Sequence, residues 1–315
     1  MSVWIFPFAL LLALAIDLRF GEPPVRWHPV VWMGNYLGWA GKRVAPTLAT
    51  PGPDYKSFSL GALVWSAGAA MVYVAAWFLQ KHILQLPPLL AVLLLCLLLK
   101  PLLAWAMLKN EVLAVEAALG ESLDAGRQRL AWLVSRDVAA LTEGQVRESA
   151  IESLAENLND SVVAPIFWFA LLGLPGAALY RFANTADAMW GYRGERNGRV
   201  WEWAGKWAAW ADDVLSWLPA RITAVLLMAL AGHRHWRALR QQARLTPSPN
   251  SGWPMAAMAL CLGVRLGKPG VYTLNAAGRV PVSSDTSKAI FYARNAVLAQ
   301  VALAAAAMVL VEKWR

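Results

Sequence analysis

Three long apolar segments constrain the fold of this chain more than any other feature. They cover residues 58–79, 87–108 and 289–311, and each is long enough to cross about 30 Å of hydrocarbon. Of the 315 residues, 58% are hydrophobic and only 16% are charged, whereas about a quarter are charged in a typical soluble domain. The sequence therefore predicts an integral membrane protein.

Four shorter apolar segments are weaker candidates for membrane spans, because each is short, broken by Pro or Gly, or flanked closely by charge. They are residues 3–16, 162–180, 214–231 and 255–264. The first lacks a preceding basic residue and a cleavage pattern, so we expect it to be retained rather than removed as a signal peptide. Because the chain shows no strand-turn-strand pattern, we predict an all-α, polytopic membrane protein. We expect one domain over residues 1–315, with a polar, amphipathic helical insert at 109–160.

Basic residues give the chain a net charge of +9 and concentrate in three polar connections. The positive-inside rule assigns such connections to the cytoplasm. We expect a multi-pass protein of the bacterial inner membrane with its active site on the cytoplasmic side. If every apolar segment crossed the bilayer fully, successive connections would alternate between the two sides, and all three could not be cytoplasmic. Either some of them face outward, or residues 162–180 form a re-entrant hairpin that turns at 173–176, which we favour. No nucleic-acid-binding motif accompanies the basic residues, so we expect no nucleic acid partner.

Four acidic residues recur at intervals of four just before the apolar segment 162–180. Glu148, Glu152, Glu156 and Asp160 each lie 40° from the last on a helix, so they share one side. Like charges at this spacing repel each other, and solvent, arginines, a metal ion or raised pKa values must offset them. A solvated face is the ordinary interpretation, but acids that lead into hydrocarbon are usually functional. We hypothesise that this acidic stripe holds a divalent cation that carries a nucleotide.

Further polar side chains gather in short segments along the chain. Residues 17–34 are rich in proline, and we expect an ordered loop there, because proline restricts the residue before it to extended backbone. Thr142 and Gln145, ahead of the acidic stripe, are typical of a helix start. The candidate binding residues in these segments are Asp17, Arg26, His28, Arg136, Asp137, Asn184, Asp187, Tyr192, Asp212, Asp213 and Asn250.

Several of these candidates have ordinary structural interpretations. A packed, hydrogen-bonded role competes with a metal-binding role for His28, and Asp212 could cap a helix N-terminus. Asn250 belongs to a turn-forming sequence, and Tyr192 suits the aromatic belt of a membrane interface. Both cysteines lack ligand spacing, so we expect them to be core residues. The chain has no P-loop, GxSxG, HExxH or GxGxxG motif.

Taken in order, these segments resemble the adenosylcobinamide-phosphate synthase family, the CbiB/CobD membrane proteins of cobalamin biosynthesis. The similarity covers nearly the whole chain, and six segments in the right order make it specific. Two departures are Glu22, where Asp is common, and Ser216, where Asn is expected; neither removes a carboxylate. The matching segments are DLRFGEPPVRWHPVVWMG from Asp17, SRD from Ser135, ESAIESLAENLNDSVVAPIFWF from Glu148, NTADAMWGY from Asn184, DDVLSWLPAR from Asp212 and SPNSGWPMAAMALCLGVRLG from Ser248.

The resemblance implies an ATP-dependent amide ligase that joins adenosylcobyric acid to (R)-1-aminopropan-2-ol or its O-phosphate. On this hypothesis Glu152, Glu156 and Asp160 hold Mg²⁺ and ATP, helped by Asn157, while Arg136 contacts phosphate. Asp187, or Asp212 with Asp213, would also help to hold Mg²⁺ and ATP, and we expect Asp187 to be a catalytic residue. Asn184 and Tyr192 position substrate, and the loop from Asp17 to His28 cradles the corrin together with Trp-rich walls. The arginines near the acidic clusters favour the phosphate as the amine substrate.

Two other classes of protein compete with a ligase. A related group of inner-membrane proteins, linked to β-lactamase regulation, has a regulatory or accessory role that needs no catalytic carboxylates. A transporter would also suit intramembrane acids and a re-entrant hairpin. The acidic stripe together with SPNSGWPMAAM favours the enzyme. Other membrane enzymes of the cobalamin pathway, besides the lipid bilayer and the corrinoid and aminopropanol substrates, are the expected partners.

Overall fold

A computed structural model describes residues 3–313, with side chains described through residue 310. The prediction of an all-α membrane protein is confirmed, because 72% of the chain is helical and there is almost no sheet. Four helical segments in the described part are long and apolar enough to cross a membrane. They are Tyr55–Ile83, Pro88–Glu121, Lys206–Leu230 and Ser283–Leu310.

The helices often begin where the sequence supplies a proline. Pro29, Pro88 and Pro175 each lie in a first turn, where the missing N–H costs nothing. The helices are α1 (Ile5–Phe20), α2 (Pro29–Val44), α3 (Tyr55–Ile83), α4 (Pro88–Leu99), α5 (Trp105–Glu121), α6 (Leu123–Leu130), α7 (Glu143–Leu158), α8 (Ala164–Leu172), α9 (Leu174–Trp190), α10 (Lys206–Leu230), α11 (Trp236–Ala243), α12 (Gly252–Leu262) and α13 (Ser283–Lys313). Short 3₁₀ turns cover Val25–Trp27 and Lys100–Leu102, and a π-helical turn covers Asn159–Val163.

Internal contacts group the chain into two compact units, each assembled from separate stretches. The first unit contains the chain through Leu103, residues Ala164–Leu215 and the chain from Ala304. The second unit contains Ala104–Val163 and Ser216–Leu303. The polar insert predicted at 109–160 falls in the second unit, and the assignment of a single domain stays a prediction.

In the first unit, α9 packs against α2, α3 and α8, and α1 packs against α4. The chain reverses between α8 and α9 at Gly173, within the turn predicted at 173–176. Gly173 has a φ of +71°, a left-handed conformation that glycine adopts at no steric cost. The N–H of Leu174 donates to Gln80 Oε1 at 2.7 Å, which ties the turn to α3. The re-entrant placement of this hairpin in the bilayer stays a prediction.

Helix α10 corrects the expectation that Asp212 caps a helix. The helix begins at Lys206, so Asp212 and Asp213 lie inside it, and it continues through Pro219. Proline has no N–H to donate to the carbonyl four residues earlier. That carbonyl belongs to Leu215, and it accepts a hydrogen bond from Trp168 Nε1 at 3.0 Å instead. The indole of α8 therefore replaces the bond that Pro219 cannot make.

Two short antiparallel hairpins are the only sheet in the described residues, and no strand-turn-strand pattern was found in the sequence for either. Strands β1 (Glu195–Arg196) and β2 (Arg199–Val200) are joined by Asn197 and Gly198, whose φ angles are 54° and 69°. Asn-Gly is the commonest two-residue hairpin signal, and it is present in the sequence. Strands β3 (Leu266–Lys268) and β4 (Tyr272–Leu274) form the second hairpin, with Lys268 opposite Tyr272.

In the second unit, α7 packs against α5, α6, α12 and β3. A capping box starts this helix, as predicted: the Gln145 N–H donates to Thr142 Oγ1, and the Thr142 N–H donates to Gln145 Oε1. Its apolar side chains are fully buried, including Ile151 and Leu154. Helix α7 thus forms the centre of this unit and carries most of the acidic stripe.

Candidate active site

The acidic stripe on α7 is not a solvated face. Glu148 is 4% exposed and Glu152 is 7% exposed, and Glu156 is half-buried. Asp160 follows the end of α7 and lies in the π-helical turn, so it does not continue the α-helical spacing of the other three. Turns of this kind are rare and occur frequently at functional sites.

An arginine offsets the charge of the first acid in the stripe. Arg265, just before β3, donates from Nε to Glu148 Oε1 at 2.9 Å. Burial raises the pKa of Glu148, and the Arg265 guanidinium opposes this shift only in part. The repulsion expected along the stripe is therefore relieved by arginines and by raised pKa values, two of the four means considered from the sequence.

Glu152 has one satisfied and one unsatisfied carboxylate oxygen. The Tyr272 hydroxyl donates to Glu152 Oε1 at 2.8 Å, and Arg136 Nη2 lies 3.9 Å from the same oxygen. Glu152 Oε2 is buried and accepts no hydrogen bond from the protein. Burial raises the pKa of Glu152, while Tyr272, Arg136 and Lys268 favour its charged form. A buried oxygen of this kind is suited to a cation or to a donor on a ligand.

Arg136 has donors that the protein does not use. Its Nη2 donates to Ser149 Oγ at 2.7 Å, and the Ser149 hydroxyl in turn donates to the Gln145 carbonyl. Its Nε and Nη1 are buried and have no hydrogen-bond partner. These N–H groups lie on different edges of the guanidinium group, so each can donate a charge-assisted hydrogen bond to a separate carboxylate or phosphate oxygen.

Arg136, Ser149 and Glu152 face a polar cavity of about 290 Å³ that lies within the second unit. Arg136 and Lys268 bring positive charge to it, and Glu152 and Glu156 bring negative charge. Its other polar lining residues are Ser135, Ser149, Ser153, Asn157, Thr246, Ser248, Ser251 and Tyr272. A cavity with both signs of charge and many hydroxyl groups can hold a phosphate ester together with its counter-cation.

The cavity brings together four of the residues selected from the sequence, and these are Arg136, Glu152, Glu156 and Asn157. Three others in the second unit do not line it. Asp137 is exposed and accepts from the Ala139 N–H, and Asp160 accepts from Asn159 Nδ2 at 2.8 Å. Asn250 is buried and accepts from Arg221 Nη1 at 2.7 Å, which fits its interpretation as a turn residue.

The eight remaining candidates belong to the first unit. Asp17 is buried in α1 and not in a loop, and Arg26 is exposed in the 3₁₀ turn. His28 Nε2 lies 3.0 Å from Glu22 Oε2, as expected of a packed, hydrogen-bonded histidine. Asn184 and Asp187 lie on α9, and Tyr192 follows its end; Asp212 and Asp213 lie inside α10. Their roles in binding or catalysis stay predictions.

A buried lysine connects the acids of the Pro-rich segment. Lys100, which interrupts an apolar segment, lies 3.4 Å from Asp17 Oδ1 and 3.0 Å from Glu22 Oε2. Burial acts to raise the pKa of Glu22, but hydrogen bonds from His28 and Lys100 outweigh it and lower that pKa. The cysteines, Cys96 and Cys261, are free and buried, as predicted.

Sequence reasoning missed the residues that the β3–β4 hairpin supplies. Lys268 and Tyr272 line the cavity, and Arg265 pairs with Glu148. The Pro269-Gly270 turn signal was present between them. It could have predicted the hairpin, although not its partner on α7.

No group of three or more His, Cys, Asp or Glu side chains in the described part of the chain is arranged to hold a metal ion. Mg²⁺ needs only one or two carboxylates when phosphate oxygens and water complete its coordination. The unsatisfied Glu152 Oε2, with Glu156 nearby in the lining, fits that requirement. The assignment of Mg²⁺ to Glu152, Glu156 and Asp160 stays a prediction.

Loss of the Tyr272 hydroxyl should destabilise the protein. Tyr272→Phe leaves the buried Glu152 carboxylate without its donor, so we expect the free energy of unfolding to fall by about 1–3 kcal/mol. Chemical unfolding in detergent measures the difference. In a Glu152→Ala background, which removes the acceptor, the same change should cost less, and equal costs in both backgrounds would argue against this interaction.

Burial of the acidic stripe also predicts how stability depends on pH. Because the pKa of Glu152 is higher in the folded than in the unfolded chain, its protonation favours the folded state below the ordinary value of 4.5, and this contribution is lost as pH rises through the raised pKa. We expect Glu152→Gln to unfold at a higher temperature than the unchanged protein at pH 7. The difference should vanish as the pH falls towards 4.5. Thermal unfolding across this range tests the sign, and a gain that grows on acidification would contradict it.

The fold and the cavity define a multi-pass helical membrane protein with a cavity lined by side chains of both charges. The family model described as CobD/Cbib protein matches residues 10–300. The chain belongs to the CobD/CbiB family. No solved structure matches it.

Curated relatives are similar over most of their length. A probable cobalamin biosynthesis protein CobD from Methanothermobacter thermautotrophicus is 42% identical over 271 residues, covering 84% of this chain and 85% of the relative. The cobalamin biosynthesis protein CobD of Chromobacterium violaceum is 38% identical over 310 residues, covering 95% and 96%. A probable cobalamin biosynthesis protein CobD from Thermococcus kodakarensis is 40% identical over 286 residues, covering 89% and 88%.

Proposed function

We propose that this protein acts in cobalamin biosynthesis as an ATP-dependent amide ligase. The reaction joins a propionate carboxyl of adenosylcobyric acid to the amine of (R)-1-aminopropan-2-ol or its O-phosphate. Membership of the CobD/CbiB family and the names of its relatives support the pathway. The observation that carries the reaction class is the cavity in which the unused donors of Arg136 lie near the buried Glu152.

The chemistry requires such a site because a carboxylate does not react with an amine at neutral pH without activation. Transfer of the γ-phosphoryl group of ATP to the substrate carboxylate gives an acyl phosphate and ADP. The amine then attacks the acyl carbon, the amide bond forms, and inorganic phosphate and a proton leave. Positioning and charge stabilisation are the main demands of phosphoryl transfer.

Particular side chains suit these demands. Arg136 would bind phosphate oxygens through its free Nε and Nη1, and Lys268 would add a second positive charge. Glu152 and Glu156 would hold Mg²⁺, which neutralises charge on the transferring phosphoryl group when it is bound. The two cations also support the O-phosphate over free aminopropanol as the amine substrate. Asn157, whose Nδ2 donates to the Ser153 carbonyl at 3.0 Å, presents its amide oxygen as a further ligand.

An omission experiment with detergent-purified protein tests the proposal. Mg²⁺, ATP, adenosylcobyric acid and aminopropanol phosphate are supplied together and then left out in turn, while ADP and the mass of the corrinoid are measured. We expect ADP release that requires the corrinoid and a product with the mass of the amide. A folded protein that binds corrinoid but forms no amide would indicate a regulatory or transport role instead.

A further inference from the structure

A second cavity, lined by apolar and basic side chains, lies in the first unit, where α2 and α9 end. Its volume is about 300 Å³. Lys42, Arg196 and Arg199 line it, and among the described residues no Asp or Glu does. A cavity with three cations and no acid has the electrostatics of an anion site.

The floor of this cavity is rigid. The rings of Trp190 and Trp201 stack with centroids 5.9 Å apart. Trp190 Nε1 donates to the Leu37 carbonyl at 3.2 Å, and Trp201 Nε1 donates to the Arg196 carbonyl at 3.3 Å. A Cβ at Gly41 would lie only 2.7 Å from Trp201, so the backbone of α2 approaches the indoles closely. The cavity is therefore built before any ligand arrives.

The arginines are held in place. The Arg196 guanidinium stacks over the Tyr192 ring at 3.7 Å, and Arg199 Nη1 donates to the Ala45 carbonyl at 2.6 Å. Lys42 is exposed at the rim. Anchored guanidinium groups lose little side-chain entropy when they bind an anion.

This cavity lies beside the start of a membrane-spanning helix. The Val200 N–H donates to the Pro46 carbonyl at 2.9 Å, and Trp203 packs on Tyr55, the first residue of α3. The exposed rings of Trp207 and Trp210 contact Phe58 in the first turn of α3, and Lys206 lies 3.8 Å over Trp203. Tryptophans and basic residues at the end of a span are typical of the lipid headgroup level.

We propose that this cavity binds the phosphate group of an anionic membrane phospholipid. Basic pockets at the cytoplasmic ends of spanning helices recognise such headgroups, and each Lys or Arg near the surface contributes about 1 kcal/mol. Lipid phosphates occur at the headgroup level that the neighbouring tryptophans indicate, and a phosphodiester complements the three cations. No residue that lines this cavity also lines the cavity beside α7, so the proposal does not depend on the ligase reaction.

Native mass spectrometry of the detergent-purified protein, titrated with phosphatidylglycerol and with phosphatidylcholine, tests the proposal. We expect phosphatidylglycerol to bind more tightly. Lys42→Gln and Arg196→Gln should each weaken its binding roughly fivefold. Arg43→Gln is the matched control, because Arg43 follows Lys42 on α2 but lies against Trp39, outside the cavity. It should leave binding unchanged.

Three further measurements make the outcome decisive. Arg196→Lys should retain most of the binding, which separates loss of charge from loss of folding, and thermal unfolding checks each variant. An equal effect of Arg43→Gln would show diffuse surface attraction and overturn the proposal. Displacement of the lipid by an equal concentration of inorganic phosphate would assign the site to a soluble phosphate ester, which also overturns it.

Discussion

Glu152→Gln should lower kcat for amide formation by roughly 100- to 1000-fold while the protein still folds. The amide keeps an oxygen that can accept from Tyr272, so the contact at Oε1 is preserved. The negative charge on the buried Oε2, the oxygen that we propose as a Mg²⁺ ligand, is lost. Measurement of kcat at saturating Mg²⁺ and substrates, with unfolding curves for each protein, tests this effect.

Glu143→Gln is the control for this experiment. Glu143 lies in the first turn of the same helix, and its side chain is 58% exposed. It pairs with Arg147, which retains Glu116 as a partner when Glu143 is replaced. The control should keep full activity. Normal turnover by Glu152→Gln would remove the acidic stripe from the mechanism.

Arg136→Gln should raise KM for one phosphate-bearing substrate by about 100-fold, because two charge-assisted hydrogen bonds are lost. The free Nε and Nη1 of Arg136 are the donors concerned. Arg136→Lys should recover only part of the loss, since lysine keeps the charge but cannot hold two donors in fixed directions. Steady-state kinetics with ATP and aminopropanol phosphate varied separately identifies the substrate that this arginine binds.

The comparison with free aminopropanol makes this result specific. If Arg136 binds the phosphate of the amine substrate, Arg136→Gln should reduce the preference for the phosphate over the free alcohol. Arg237→Gln, an exposed change on α11, serves as the control and should alter neither KM. Unchanged KM values for both substrates of Arg136→Gln would show that this guanidinium binds no phosphate.

Much of the fold follows from the sequence because apolar length and helical spacing are local properties. The segments at 58–79 and 289–311 lie within α3 and α13, and the segment at 87–108 covers α4, the 3₁₀ turn at Lys100–Leu102 and the start of α5. The helix start of α7 was readable from Thr142 and Gln145. Helix α10 was only a weak candidate because Pro219 interrupts it. Its continuation depends on the indole of Trp168, 47 positions earlier, which no local pattern reports.

The site was predictable only in part for the same reason. Regular spacing predicted Glu152 and Glu156 on α7 as site residues. Arg136 was predicted because it lies shortly before the acidic stripe. Tyr272 lies 120 positions from Glu152, and it reaches the cavity through a hairpin whose packing on α7 is a tertiary contact. The predicted position of Asp160 rests on ideal α-helical spacing. The π-helical turn at Asn159–Val163 departs from that spacing and moves Asp160 away from the line of the other three acids.

The hydrogen bond between Trp168 and the Leu215 carbonyl constrains the order in which the chain can be assembled during synthesis. An unsatisfied carbonyl in hydrocarbon costs several kcal/mol, and Pro219 creates one in α10. Trp168 belongs to α8, which leaves the ribosome before α10. The donor is therefore synthesised before the carbonyl that it satisfies, and we expect the insertion of α10 to depend on α8 as its receiving surface.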